Sequence, residues 1–207
     1  MSGKAGKAGK AYDQAYFDRW YRDPKARVAT RAAVKRKAAM VVGIAEALLQ
    51  RPVKTVLDVG CGEGTWRAPL LAGHRGLQYT GVDSSEYVRQ RFGRTRNIRA
   101  GTFGTLDELG LEGPFDLIVC CDVLQYVPPR ELTRGLRAIA ELLGGVTYLE
   151  AYTTADEIEG DRKAWHHRSP AEYRSAFRRA GLTSVGMHCY VGSELRPMTA
   201  ALERATG

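Results

Sequence analysis

The sequence predicts an α/β domain with a parallel sheet covered by helices on both faces, and three observations predict it. A short apolar run, Val56-Leu57-Asp58-Val59, breaks into the loop Gly60-Cys61-Gly62-Glu63-Gly64, and the residues from Thr65 to Leu71 can then start a helix. A second run, Leu77 to Val82, ends in Asp83, at about the ~20-residue separation that puts a carboxylate beside a ribose bound at such a loop. Downstream, strand-like and helix-like runs alternate, the pattern of parallel strands joined by crossover helices.

Taken in order, residues 1–10 form a small-residue repeat with a lysine at every third position, expected to be a disordered basic tail. Residues 11–50 are expected to form a helical cap and residues 51–207 the main domain. Between 11 and 24, Tyr12, Tyr16 and Trp20 recur every fourth residue with Phe17 and Tyr21 beside them. On a helix these make one aromatic face, which Pro24 ends. Two readings of that face stay open, packing against the domain or a lid over a ligand cleft. A further helix is expected over 26–50, where Arg31, Lys35, Arg36 and Lys37 read as a solvated basic face.

Strands are expected near 55–60, 78–83, 97–100, 115–121 and 146–152, and helices near 65–72, 85–92 and 130–143. Two final strands are expected at 182–191 and 197–203, separated by Gly192-Ser193-Glu194. Ser169-Pro170-Ala171-Glu172 is a capping box with proline at the first helical position; its helix should stop at Gly181. Ligands of such sheets collect at the carboxyl ends of the strands, and the glycine loop, Asp83, Thr102 and Asp122 all fall there.

Composition is that of a globular protein: 44% hydrophobic and 26% charged residues in a chain of 207. The net charge of +8 favours anionic partners, yet no aromatic-basic nucleic-acid motif is legible. Nucleic acid is therefore the less favoured partner. Cys61, Cys120, Cys121 and Cys189 include no Cys-x-x-Cys pair, so no metal site is expected, and reduced thiols point to the cytoplasm. No stretch approaches the ~20 apolar residues of a membrane span, and the first residues lack the apolar core of a signal peptide.

The motif Val56-Leu57-Asp58-Val59-Gly60-Cys61-Gly62-Glu63-Gly64, then Gly81-Val82-Asp83, then Phe115 to Tyr126, resembles the class I S-adenosylmethionine-dependent methyltransferases over roughly residues 50–190. The resemblance implies a three-layer Rossmann-like fold, a mostly parallel seven-stranded sheet with an antiparallel last strand beside its predecessor. It implies S-adenosylmethionine as cofactor. Gly60, Gly62 and Gly64 are then placed against its methionine and ribose parts, with Cys61, Ser84 and Cys121 nearby. Asp58 orients the loop or reaches the amino group, and Asp83 holds the ribose hydroxyls. Many relatives carry Gly-Asp after the third strand; here the segment is Ala100-Gly101-Thr102-Phe103, so Thr102 and Phe103 fall to the adenine.

Methyl transfer from a sulfonium needs alignment above all, and a base only where the nucleophile must shed a proton. Candidate bases are His166 and His167, on a loop expected near the ligand edge, and Asp122 at the end of the fourth strand. Tyr12, Tyr16 and Tyr126 are the candidate substrate-binding residues. The expected activity is methyl transfer to an oxygen or nitrogen atom of a small molecule. An RNA or protein methyltransferase and a non-catalytic S-adenosylmethionine-binding module are the alternatives. A nicotinamide-dependent dehydrogenase is disfavoured by Thr65, which stands where a third glycine belongs.

Overall fold

The computed structural model describes residues 12–27, 29–157 and 163–200. The basic tail expected at residues 1–10, and the end of the strand expected at 197–203, lie outside them. Seven strands form one sheet in the order β3-β2-β1-β4-β5-β7-β6: β1 (Thr55–Val59), β2 (Gln78–Asp83), β3 (Ile98–Ala100), β4 (Phe115–Cys121), β5 (Leu143–Glu150), β6 (Thr183–Gly186) and β7 (Cys189–Val191). The first five run parallel. β7 is antiparallel to both β5 and β6 and lies between them. This is the expected Rossmann-like sheet with its inserted antiparallel last strand.

Central strands read as unbroken apolar runs because both faces are covered. Val56, Leu57 and Val59 of β1, and Leu117 to Cys120 of β4, are buried. On one face Leu57, Ile118 and Leu149 pack with α5 (Pro129–Leu142) and α6 (Pro170–Arg179). On the other, Val56, Leu117, Val119 and Tyr148 pack with α2 (Arg31–Leu49) and with Leu70 of α3 (Arg67–Gly73). Helix α2 is thus a structural layer of the sheet. A short α1 (Gln14–Phe17) precedes it, and α4 (Glu86–Arg96) joins β2 to β3.

Three boundaries differ from the expectation. Helix α2 starts at Arg31, after Thr30 accepts the Ala33 N–H at 3.1 Å, an N-cap that sets the first turn. Strand β5 starts at Leu143, where Gly145 lets the backbone press on β4; a Cβ there would lie 2.0 Å from Asp116 O. The two final strands both fall inside 182–191. They join through Met187 (φ 50°) and His188 (φ 60°), a two-residue turn with the positive φ pair that right-twisted hairpins need. Arg196–Met198 is instead a single 3-10 turn. Met-His carries none of the Asn-Gly signal of such turns, which is why the break was misplaced. Among the described residues no helix is long and apolar enough to cross a membrane.

Candidate active site

Strand β1 delivers the chain to Gly60 (φ 70°) and Gly62 (φ 53°), conformations that glycine adopts without strain. The N–H groups of Gly60 and Cys61 donate to Val82 O at 2.8 and 3.2 Å, pinning the loop to the end of β2. Asp83 completes the attachment: Oδ2 accepts from Gly62 N at 2.7 Å and Oδ1 from Ser85 N at 2.8 Å. Burial raises the Asp83 pKa, while these N–H groups pull the other way. Behind the loop, Asp58 is 2% exposed and accepts the Tyr79 hydroxyl at 2.7 Å. Burial pushes its pKa up to about 7.

Facing this loop is the turn after β4. Asp122 sits in the left-handed region at φ 61°, and its N–H donates to Glu150 O at 3.0 Å. The fully buried Gln125 donates its side-chain amide to Asp122 Oδ1. The turn Leu124–Tyr126 is held from behind by Arg168, buried at 9% exposure. Arg168 Nη1 donates to Leu124 O at 3.0 Å, and its Nη2 donates to Val127 O. His166 N donates to Gln125 O at 2.8 Å. Val123 leans onto the opposite wall, where a Cβ on Gly60 would lie 2.3 Å from Val123 Cγ2.

The aromatic N-terminal segment closes the cleft. Its helix is shorter than expected: after α1 the chain widens into a π turn over Asp18–Arg22. That turn keeps Tyr21 with the cluster of Tyr12, Tyr16, Phe17 and Tyr87. Trp20, expected on the same face, stacks under the Arg19 guanidinium at 4.9 Å and is not among the residues lining the cleft. Phe17 lies over the glycine loop, its Cε1 3.0 Å from where a Gly62 Cβ would stand. Arg22 fixes the segment to the loop through both oxygens of Glu63, at 2.6 and 2.8 Å.

Between these parts is a cleft of about 220 Å³. Of the residues singled out from the sequence, Gly60, Gly62, Asp83, Ser84, Thr102, Phe103, Cys121, Asp122, Tyr12, Tyr16 and Tyr126 line it. Asp58, Cys61 and Gly64 are buried and do not. Neither His166 nor His167 lines it. Trp165, which does not line it either, is the residue of this loop that meets the lining: it lies edge-on to Tyr126 at 6.0 Å and stacks on Tyr152 at 5.9 Å, while the exposed His167 ring lies 5.9 Å from the indole. The loop is fastened to the turn by main chain, through the His166 N–H, and not by either imidazole. Sequence reasoning did not select Phe17, Tyr21, Val123, Val127 or Glu131 as lining residues; only the first two carried a signal, the aromatic stripe.

A family model described as a methyltransferase domain matches residues 31–185. The ubiquinone biosynthesis O-methyltransferase of Bordetella bronchiseptica is 28% identical over 70% of this chain and 68% of its own length. Among solved structures, the sugar N-methyltransferase KedS8 from a Streptoalloteichus species is similar with a TM-score of 0.63 at 20% identity. That similarity covers 93% of this chain and 96% of that one. Magnesium protoporphyrin IX methyltransferase from Synechocystis gives a TM-score of 0.58 at 21% identity, over 88% of this chain and 93% of that one. With the glycine loop, the acid after β2 and the sheet order all in place, the match over 31–185 shows that the chain belongs to the methyltransferase-domain family and is an S-adenosylmethionine-dependent methyltransferase.

Proposed function

We propose that this enzyme methylates an oxygen or nitrogen atom of a small molecule held between the Asp122 turn and the tyrosine lid. One observation carries the reading: the glycine loop with Asp83 and the aromatic segment enclose the same cleft. The floor fits an adenosyl group. Gly60 and Gly62 leave bare main chain toward the cleft, with no room for a Cβ under Val123 and Phe17. The Asp83 carboxylate, already oriented by two N–H groups, keeps lone pairs for ribose hydroxyls, and Thr102 and Phe103, which also line the cleft, are left for the base. When bound, S-adenosylmethionine supplies a methyl group on a sulfonium, whose leaving group is a neutral thioether.

This chain's residues then have two tasks. Tyr16, Phe17 and Tyr21 cover the cleft and exclude water. Asp122, Val123 and Tyr126 set the acceptor's position, which for an in-line displacement is the larger part of catalysis. Asp122 is the acidic group placed to take a proton there. The relatives' names support a small acceptor: one serves ubiquinone biosynthesis, one acts on a sugar and one on magnesium protoporphyrin IX. Four free thiols, Cys61, Cys120, Cys121 and Cys189, support a cytoplasmic setting. The test is titration calorimetry with S-adenosylmethionine and S-adenosylhomocysteine, followed by methylation assays on small acceptors. Micromolar binding and turnover are expected; no binding by folded protein would overturn the reading.

A further inference from the structure

Glu131 lines the cleft, yet among the described residues no hydrogen bond or ion pair engages its carboxylate. It stands in the first turn of α5, at the position from which a glutamate ordinarily reaches back to the N–H at the start of its own helix. Here the N-cap is Pro128 and the first helical residue is Pro129, and neither carries an N–H. The Glu131 side chain is exposed and is not used by its own helix.

Two glycines bring that carboxylate onto the turn that follows β3. Helix α5 presses on this turn so closely that a Cβ on Gly135 would lie 2.2 Å from Phe103 O. One helical turn earlier the Glu131 side chain lies over Gly104, where a Cβ would stand 2.9 Å from Oε2. Arg134 ties the same two elements together, pairing with Asp107 and Glu108 at 2.8 and 2.5 Å. The turn in turn adjoins the acid assigned to the ribose. Ala100 is the sheet partner of Asp83, and Gly101 N donates to Asp83 O at 3.0 Å. A base joined to a ribose at Asp83 therefore reaches residues 101–104. Gly101-Thr102-Phe103-Gly104 offers it a ring and one hydroxyl, but no side-chain carboxylate or amide. The Thr102 hydroxyl already stands 3.2 Å from Thr105 Oγ1. An amino group covered in a cleft needs an acceptor, and Glu131 is the carboxylate that lies on this turn.

We propose that Glu131 reads the base of the cofactor: its carboxylate accepts the exocyclic amino group of adenine, so the helix after β4 supplies the acceptor that the turn after β3 lacks. The proposal rests on the methyltransferase reading above and names the residue that selects an adenine nucleoside. The other two acids of the cleft are placed for other parts. Asp83 is oriented by the Gly62 and Ser85 N–H groups, and Asp122 stands on the turn after β4, where the Gln125 amide donates to it. A purine with hydrogen in place of the amino group would bring Glu131 no donor at that position.

The full chain is titrated calorimetrically with S-adenosylhomocysteine and with its analogue carrying hydrogen at the purine 6-position. The wild type is expected to bind S-adenosylhomocysteine tenfold or more tightly than the analogue. Glu131→Ala should weaken S-adenosylhomocysteine at least fivefold while leaving the analogue within twofold, so that the preference collapses. A purely structural role for Glu131 would instead weaken both ligands alike. Glu131→Gln, whose amide oxygen still accepts, should retain part of the preference. Thr102→Ala should change it less than twofold, and Asp83→Ala should weaken both ligands by the same factor. Equal binding of the two ligands by the wild type would overturn the proposal. So would equal losses for both ligands in Glu131→Ala, or a preference that survives Glu131→Ala and is lost in Thr102→Ala. Wild-type protein that is folded and binds no S-adenosylhomocysteine would overturn the methyltransferase reading, and the role of Glu131 with it.

Discussion

The two walls of the cleft are built from different material. The first is main chain: the N–H groups of Gly60, Cys61 and Gly62 close onto Val82 and Asp83, and every member lies within the one unit β1-loop-α3-β2. The second is side chains from separate stretches: Tyr12 to Tyr21, Cys121 to Pro128, and the brace at His166 and Arg168. A wall of backbone tolerates few residue types and so serves a ligand part that does not vary. A wall of side chains can be rewritten one residue at a time, which suits it to the acceptor. The walls meet most tightly where Val123 lies over Gly60, and again where Phe17 lies over Gly62.

The largest effect is expected at the first of these contacts. Gly60→Ala places a Cβ 2.3 Å from Val123 Cγ2 in a left-handed backbone. Strain of about 1–2 kcal/mol and overpacking of about 1–3 kcal/mol together predict a loss on the order of 3–4 kcal/mol in denaturant unfolding. Adding Val123→Ala should return about 1–2 kcal/mol of it, a coupling that a double-mutant cycle measures. Strict additivity would show that the walls are independent.

The first wall is next most sensitive from behind. Asp58 has a folded pKa of about 7 against an ordinary 3.8. The folded state therefore holds a proton that the unfolded state has already released between pH 4 and 7. Stability from this group is full below about pH 4 and falls as pH rises toward 7, by on the order of 4 kcal/mol. Asp58→Asn still accepts the Tyr79 hydroxyl and should flatten that slope, leaving the variant more stable than wild type at pH 8. An unchanged pH profile would show that Asp58 ionises normally.

Asp83 and Asp122 then test the division of labour. Asp83→Ala removes the acceptor of two loop N–H groups and should weaken S-adenosylhomocysteine at least tenfold, about 1.4 kcal/mol. Asp122→Asn should change it less than threefold. Equal losses would mean that the cofactor spans both walls.

This contrast also decides what could be read from the chain. The first wall was legible because hydrogen bonding fixes its residue types at fixed spacing: glycines where φ is positive, an acid at the end of the next strand. Asp58 and Gly64 belong to the same motif but do not line the cleft; of the two roles expected for Asp58, its burial against Tyr79 accords with orienting the loop. The second wall depends on tertiary meeting. That Tyr21 turns inward follows from a π turn over Asp18–Arg22, and no periodicity of 3.6 reveals it. Arg168 reads as one more surface base in a chain with 31 of them; only the fold shows it buried against two carbonyls. His166 and His167 were chosen for their chemistry, and it is Trp165 that the loop turns to Tyr126.

The smallest predicted effect concerns how the walls are held together. Arg22 reaches from the lid to Glu63 in the glycine loop at 2.6 and 2.8 Å, with 45% and 15% of the two side chains exposed. An ion pair so placed contributes about 0.2–1 kcal/mol, and Glu63 also keeps the Tyr87 hydroxyl at 3.0 Å. Arg22→Gln is therefore expected to weaken S-adenosylhomocysteine by about two- to fivefold, with the change in its dissociation rate, measured by stopped flow. Because the pair is half in solvent, 1 M salt should erase most of the difference between variant and wild type. A rate unchanged at low salt would mean that ring packing alone closes the lid: Phe17 against Tyr21 at 5.3 Å and against Tyr87 at 5.7 Å. Phe17→Leu would then be the substitution that opens the cleft, and the second wall would owe its position to the same aromatic residues that give it its chemistry.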